Sequence, residues 1–224
     1  MKLLVDFAGI ERIRELYEYF PLDGVTTNPS ILAAVRKPPY ETLEEIRAFI
    51  GPDADLHAQV LSQKAEDMVE EAHEMLGRLG KNTCIKVPVV REGLKAIRLL
   101  AAEGVRVTGT AIYTPIQAML AAHAGASFVA PYVNSIDNAG IDGMGVAKKI
   151  QETFENHGMT TQVLAASFKN AYQVQELFAF GIPAVTAVPD VLESLLKNDM
   201  SIARVARFQA DFEKLCGAGS TMKQ

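Results

Sequence analysis

Lys86 stands in the middle of the run NTCIKVPVV, residues 82–90, where Cys84, Ile85, Val87 and Val89 describe a largely buried β-strand. The strand ends at Pro88, which has no N–H for a sheet ladder. An ammonium fits badly there, because burying it unpaired is costly or strips its proton. A lysine that has shed its proton attacks carbonyl carbon, so residue type and setting point to imine chemistry. That chemistry needs a carboxylate and hydroxyls to move protons through carbinolamine, imine and enamine, and amides and hydroxyls to hold the substrate. The chain offers such groups at the ends of short apolar runs: Asp6, Thr26 with Thr27 and Asn28, Gln59, Thr110, Tyr132 and Ser167. Taken singly, each has a plainer role: Asp6 as a helix cap, Thr110 as a partner for local backbone, Tyr132 as a core aromatic. The plainer role for Lys86 is a buried stem whose head reaches water. Gathered around one lysine, they describe an imine site.

Something must bring these residues together, and the hydrophobic pattern supplies it. Short apolar runs alternate with longer amphipathic segments from end to end, the pattern of repeated βα units. The runs fall at 3–7, 24–28, 55–60, 83–88, 105–110, 128–133, 162–167 and 184–188. Helical patterns such as AEDMVEEAHEMLGRLG and EGLKAIRLLAAEG lie between them, closing on Gly80 and Gly104 where a C-terminal cap belongs. Eight strands and eight helices in strict alternation predict a closed (β/α)₈ barrel, with an open doubly wound sheet as the alternative. In a barrel of parallel strands the catalytic residues sit at the C-terminal strand ends, and seven of the eight runs place a polar residue there. By the two-residue period Lys86 shares its face with Cys84, and Gln59 with His57, which predicts His57 as a core histidine bonded to a neighbour. His73, His123 and His157 fall in helical or helix-end segments and read as solvated.

A further helix is expected at about 201–217, where Ile202, Val205, Phe208, Phe212 and Leu215 recur three or four apart and predict one buried face, on the chain's own barrel or on a neighbouring subunit. The tail AGSTMKQ reads as frayed. No Pro- or Ser-rich linker interrupts the chain, so residues 1–224 are expected to form a single barrel domain.

Composition narrows the function classes. A net charge of −5 with scattered Lys and Arg argues against a nucleic-acid surface. Hydrophobic content of 49% with 22% charged residues is that of an ordinary soluble globule, and no apolar run approaches a membrane span. Two cysteines, Cys84 and Cys216, give no disulfide framework, and the segment MKLLVDFAGI is too short and too interrupted for a signal peptide; a cytoplasmic setting is expected. No Cys/His cluster or carboxylate pair has ligand spacing, so no metal is expected.

Several long motifs, in order and with matching spacing, carry a resemblance: FPLDGVTTNPSILAA, AQV, KVPVVREGLKAI, GTAIYTPIQAMLAAHAGASFVAPYVNSID and VLAASFKN. Together they make the chain similar to the small transaldolase family, and within it to the fructose-6-phosphate aldolase branch. The resemblance implies a (β/α)₈ barrel and class I aldolase chemistry without metal or organic cofactor, acting on a sugar or sugar phosphate. Lys86 is then the imine lysine, and Asp6 assists proton transfer. Gln59, Thr110 and Tyr132 hold and work the catalytic water. Asn28, with Thr27 and Asn134, binds substrate hydroxyls, and Ser167, Ser135 and Lys169 lie toward the distal end. It also implies ring-shaped homo-oligomers, pentamers or decamers, with the last helix on a neighbour.

Two positions bear on reaction type. Transaldolases of this family tend to have Glu at Gln59 and Phe at Tyr132. A tyrosine hydroxyl offers a proton to the enamine, so this pair favours a lyase that frees dihydroxyacetone over a transferase that hands it to an acceptor aldehyde. One position departs from the family: Ser135 follows YVN where an arginine usually binds the substrate phosphate. Lys169, Arg36, Lys37 or the helix N-terminus after Ser167 would have to replace it, or the substrate is unphosphorylated or sulfonated. A catalytically silent sugar-binding barrel is the reading from outside enzymology, and it predicts no adduct on Lys86.

Overall fold

In the computed structural model, which describes residues 1–223, β1 (Lys2–Asp6) pairs in parallel with both β2 (Gly24–Thr26) and β8 (Ala184–Ala187). The circuit runs on through β3 (Asp55–Gln59), β4 (Thr83–Pro88), β5 (Val107–Ile112), β6 (Phe128–Pro131) and β7 (Gln162–Ala165). Neighbours in sequence are neighbours in the sheet, and the barrel is closed, as the alternation predicted. Several strands stop one or two residues short of their apolar runs, because the chain turns into the following helix before the hydrophobic pattern ends.

The helical layer is less regular than strict alternation. Single helices follow β1, β3, β4, β5 and β7: α1 (Ile10–Tyr19), α4 (Ala65–Leu79), α5 (Arg91–Ala102), α6 (Pro115–His123) and α9 (Ala171–Phe180). Two follow β2, α2 (Pro29–Val35) and α3 (Pro39–Ile50), and two follow β6, α7 (Val133–Asn138) and α8 (Gly143–Asn156). The Pro38–Pro39 pair restarts the first of these doublets and a turn through Gly140 the second. α10 (Pro189–Leu196) follows β8, and α11 (Asp199–Cys216) comes last. None of these helices is long and apolar enough to cross a membrane, among the described residues.

Side-chain parity divides the core in two. Val5, Val25, Leu56, Ile85, Val87, Val107, Val129, Val163 and Val185 belong to the large cluster between sheet and helices. Leu4, Cys84, Phe128, Leu164 and Ala184 form a separate small cluster that fills the barrel interior. One close approach matters for the site. A Cβ on Gly93 would lie 1.8 Å from the carbonyl oxygen of Pro88, so only glycine lets α5 seat against the end of the strand that carries Lys86.

Of the two surfaces expected for the last helix, its own barrel is not the one it covers. No residue of α11 is buried, and Ile202, Val205, Phe208 and Leu215 are all more than half exposed. The barrel's helical layer is complete before α11 begins, so the apolar face finds nothing of its own chain to cover. The tail that follows turns back, with the Ser220 hydroxyl donating to the carbonyls of Cys216 and Gly217 at 2.9 and 2.7 Å; Gln224 lies outside the described residues.

Candidate active site

The interior cluster fixes which way the strand ends face. Asp6 lies two residues beyond Leu4, and Lys86 two beyond Cys84, so both side chains join the inner face one layer nearer the C-terminal mouth. Lys86 is only 5% exposed, which removes the reading of a lysine whose head reaches water. Its Nζ donates at 2.7 Å to the carbonyl oxygen of Thr27. Burial pushes its pKa down, against the opposing charge of Asp6. Burial likewise pushes the Asp6 carboxyl up, against the charge of Lys86 and a hydrogen bond from Thr26. Both groups are driven toward their neutral forms, which for the lysine is the nucleophile.

The Thr26 hydroxyl donates to Asp6 Oδ1 at 2.7 Å and lies 2.7 Å from the Thr186 hydroxyl. Thr186 was missed in the sequence, where β8 alone of the eight runs contributed no candidate. Its signal was present in parity with Ala184, which also faces inward. On the other side of the mouth, the hydroxyls of Thr110 and Tyr132 lie 2.9 Å apart. Burial pushes the Tyr132 phenol up, with the Thr110 bond opposing, so the proton stays on oxygen at neutral pH. The register of β5 against β6 shifts between Gly109 and Ile112, and Ala111 adopts φ 55°, a left-handed conformation that L-residues disfavour. That irregularity lies between Thr110 and Tyr113, whose ring meets Tyr132 edge-on with centroids 5.8 Å apart. Gln59 pairs across the sheet with Lys86, and its buried Oε1 has no partner. An unpartnered acceptor at this depth is poised for a water or a substrate hydroxyl.

Thr27 differs from its expected part. It is fully buried, and its hydroxyl donates to the carbonyl of His57 at 3.0 Å, so the side chain has no free face for a substrate. Asn28 caps α2 by accepting from the N–H of Ile31 at 2.9 Å, which leaves its NH₂ for another partner. Ser167 follows β7 with φ 61°, a second strained non-glycine residue at a strand end. Its hydroxyl lies 3.2 Å from that of Ser135, and its carbonyl accepts the N–H of Asn134 at 2.7 Å. Lys169 is exposed, as are Arg36 and Lys37, and Lys37 is paired with Glu45 at 3.1 Å. The fold thus brings Asp6, Gln59, Lys86, Thr110 and Tyr132 to one mouth, sets Asn28, Asn134, Ser135 and Ser167 at strand-to-helix junctions, and leaves Lys169 in solvent.

Beneath Lys86 the barrel gathers a cluster that spacing had not revealed. The ligand atoms of Asp55, His57 and Cys84 lie within 4.8 Å of one another. A cation there competes with two already present, since Asp55 pairs with Arg106 at 2.9 Å and with Lys2. Burial pushes the Cys84 thiol up to about 12 and the His57 imidazole down to about 3, so the thiol resists becoming a ligand. His57 is wholly buried, bonds Thr108 through Nδ1 at 2.9 Å and meets Phe128 edge-on, the packing role its parity predicted. His73, paired with Glu103 at 2.6 Å, His123 and His157 are exposed.

Compared with known protein families, residues 3–224 match Transaldolase/Fructose-6-phosphate aldolase. A probable transaldolase of Thermodesulfovibrio yellowstonii is 38% identical over 215 residues, which span 96% of this chain and 99% of that protein.

Proposed function

The chain belongs to the transaldolase/fructose-6-phosphate aldolase family, and from that premise we propose that it is a class I aldolase, reversibly cleaving a ketose or ketose phosphate such as fructose 6-phosphate. The products are dihydroxyacetone and an aldehyde, for that ketose glyceraldehyde 3-phosphate. The observation that carries this reading is Lys86, walled into the barrel beside a carboxyl and driven by burial toward its neutral form.

The neutral Nζ attacks the ketose carbonyl carbon, and the carbinolamine loses water to give a protonated imine. Gln59 Oε1 and the Thr110–Tyr132 hydroxyl pair hold that water. The positive charge of the iminium on Lys86 favours Asp6 as the carboxylate, which takes the proton of the hydroxyl on the carbon beyond the scissile bond. The bond's electron pair flows into the iminium, an aldehyde departs and an enamine remains. The Tyr132 phenol, protonated at neutral pH, then delivers a proton to the enamine carbon. Water hydrolyses the resulting imine, releasing dihydroxyacetone and restoring Lys86.

The second reading is a transferase, in which the enamine waits for an acceptor aldehyde; the similarity to a probable transaldolase favours it. For assembly we propose a homo-oligomer, a pentamer or decamer, in which α11 lies on a neighbouring copy. The support is an amphipathic helix with no residue buried against its own barrel.

Incubation with dihydroxyacetone and borohydride, followed by mass measurement, tests the imine. One reduced adduct on Lys86, absent in Lys86→Met, is expected. An unmodified wild-type protein removes both enzymatic readings and leaves the silent barrel.

A further inference from the structure

β8 carries one polar side chain, that of Thr186, which is 2% exposed. β1 lies between β8 and β2, in registers that set Thr186 opposite Leu4 and Thr26 opposite Asp6. Across that strand the two threonine hydroxyls meet at 2.7 Å, and the wholly buried Thr26 hydroxyl lies 2.7 Å from Asp6 Oδ1.

Counting protons fixes the direction of this chain. A threonine hydroxyl has one proton and two lone pairs, and a carboxylate only accepts. The Thr26 proton therefore goes to Asp6 Oδ1, and the contact between the threonines is left with one donor, Thr186. Among the described residues the Thr186 hydroxyl has no other partner, and none donates to Asp6 Oδ2. The order Thr186 to Thr26 to Asp6 suits a carboxylate, whose charge strengthens the bond it accepts and, through it, the bond behind.

Other charge around Asp6 is sparse. Lys86 faces it from β4 and the Tyr132 phenol from the end of β6, while β2 and β8 present only the two hydroxyls. His57 on β3 is held neutral by burial and is bonded to Thr108. Burial opposes the charged form of Asp6, and the Thr26 bond, like Lys86, supports it.

Resting on the class I aldolase reading, we infer that Thr186 is a positioning residue for the cleavage step: through Thr26 it holds Asp6 as the carboxylate, with Oδ1 tethered and Oδ2 left to take the proton of the substrate hydroxyl. Acting through another side chain, it changes the ionisation of Asp6 and kcat and leaves KM alone.

The test follows kcat against pH for cleavage of fructose 6-phosphate or fructose, whichever the wild type turns over faster. It compares the full-length wild type with Thr186→Val, Thr186→Ser, Thr26→Val and the double variant carrying both valines. Infrared difference spectra of the same proteins read the carboxyl itself, its acid band assigned by absence in Asp6→Asn. Cleavage needs the carboxylate and is lost as pH falls through the Asp6 midpoint, so a weakened tether moves this acid limb upward. Thr186→Val is expected to raise the limb and the infrared midpoint by about half a pH unit. At the wild-type midpoint its kcat should be about twofold lower, with KM changed by less than about twofold. Thr186→Ser is expected to restore the wild-type values. With Thr26 already valine, Thr186→Val should add nothing, because the path to Asp6 is cut. A Thr186→Val protein that melts lower but keeps the wild-type limb and infrared midpoint overturns the inference. So does a full shift from Thr186→Val in the Thr26→Val background. A wild type that forms no borohydride adduct with dihydroxyacetone defeats the imine reading itself, and the infrared midpoint still decides whether Thr186 acts on Asp6.

Discussion

The Nζ of Lys86 and the main-chain carbonyl oxygen of Thr27 lie 2.7 Å apart, and the residue carrying that carbonyl is anchored twice. The N–H and the hydroxyl of Thr27 both donate to the carbonyl of His57, at 2.9 and 3.0 Å. Thr27 therefore acts on the lysine from behind: its side chain steadies a backbone acceptor that favours the charged form of Lys86. Thr27→Val keeps the shape and the N–H but loses one anchor. A net hydrogen bond is worth about 1 kcal/mol, so an Nζ held less firmly in place for attack should slow cleavage by about three- to tenfold at a pH above the midpoint, where the lysine is neutral in both proteins. The pH midpoint for adduct formation should move down, because a loosened acceptor holds the ammonium less well. Thr27→Ser should restore both. A variant that loses stability but keeps the wild-type midpoint would mean that the hydroxyl only supports packing.

The Thr110–Tyr132 pair gives a second prediction. With the phenol 2.9 Å from the threonine hydroxyl and its proton held by burial, Tyr132 is the donor that lets the enamine leave without an acceptor. Tyr132→Phe should depress release of free dihydroxyacetone by about a hundredfold, the usual worth of a placed general acid. Transfer to an added aldehyde needs no proton on that carbon and should fall much less. Chromatographic comparison of products with and without acceptor reads this directly. Equal losses in both assays would show that Tyr132 serves the imine steps alone and would withdraw the reason for preferring a lyase.

Burial of Lys86 also has a sign for stability. A lysine whose folded pKa is lowered costs stability at neutral pH, where the unfolded chain holds the proton more tightly than the folded one, and the cost fades as pH rises toward the ordinary lysine range. Asp6, pushed up by burial, complicates the comparison, so Asp6→Asn should be the background. In that background Lys86→Met should raise unfolding free energy in urea by about 1 kcal/mol or more at pH 7, as replacement of a buried ion by a hydrophobe usually does. The gain should shrink by about pH 10. A gain that grows with pH would mean that the lysine is charged in the folded barrel.

Most of the barrel was legible because a two-residue period and a regular alternation of strand and helix patterns leave few topologies open. Lys86, Asp6 and Tyr132 were legible for a narrower reason: each is polar where an apolar run ends. Thr186 escaped because a threonine in a strand is commonplace, and only its hydroxyl contact with Thr26, which holds Asp6, gives it a part. Thr27 was misplaced because sequence gives a residue's type but not which of its atoms faces the site. The carbonyl does, while the hydroxyl faces away. The cluster of Asp55, His57 and Cys84 comes from two strands adjacent in space, a proximity that ligand spacing along the chain cannot express.

The helix α11 was legible as amphipathic, yet period alone cannot say whose surface it covers. Its apolar residues are exposed, Phe208 by 62% and Leu215 by 82%, so removing residues 199–223 takes nothing from the barrel core. A face this apolar on a free helix is costly to leave in water and is the kind of surface that a second copy buries. The truncated chain should therefore fold, with its circular dichroism retained apart from one helix. Its mass by light scattering should fall from that of a ring to that of a monomer. The full chain should show a melting temperature that rises with concentration, which the truncated chain should lack. If the full-length protein is already a monomer at micromolar concentration, α11 has no neighbour to cover. If the truncated chain stays a ring, the contacts that hold the copies together lie on the barrel.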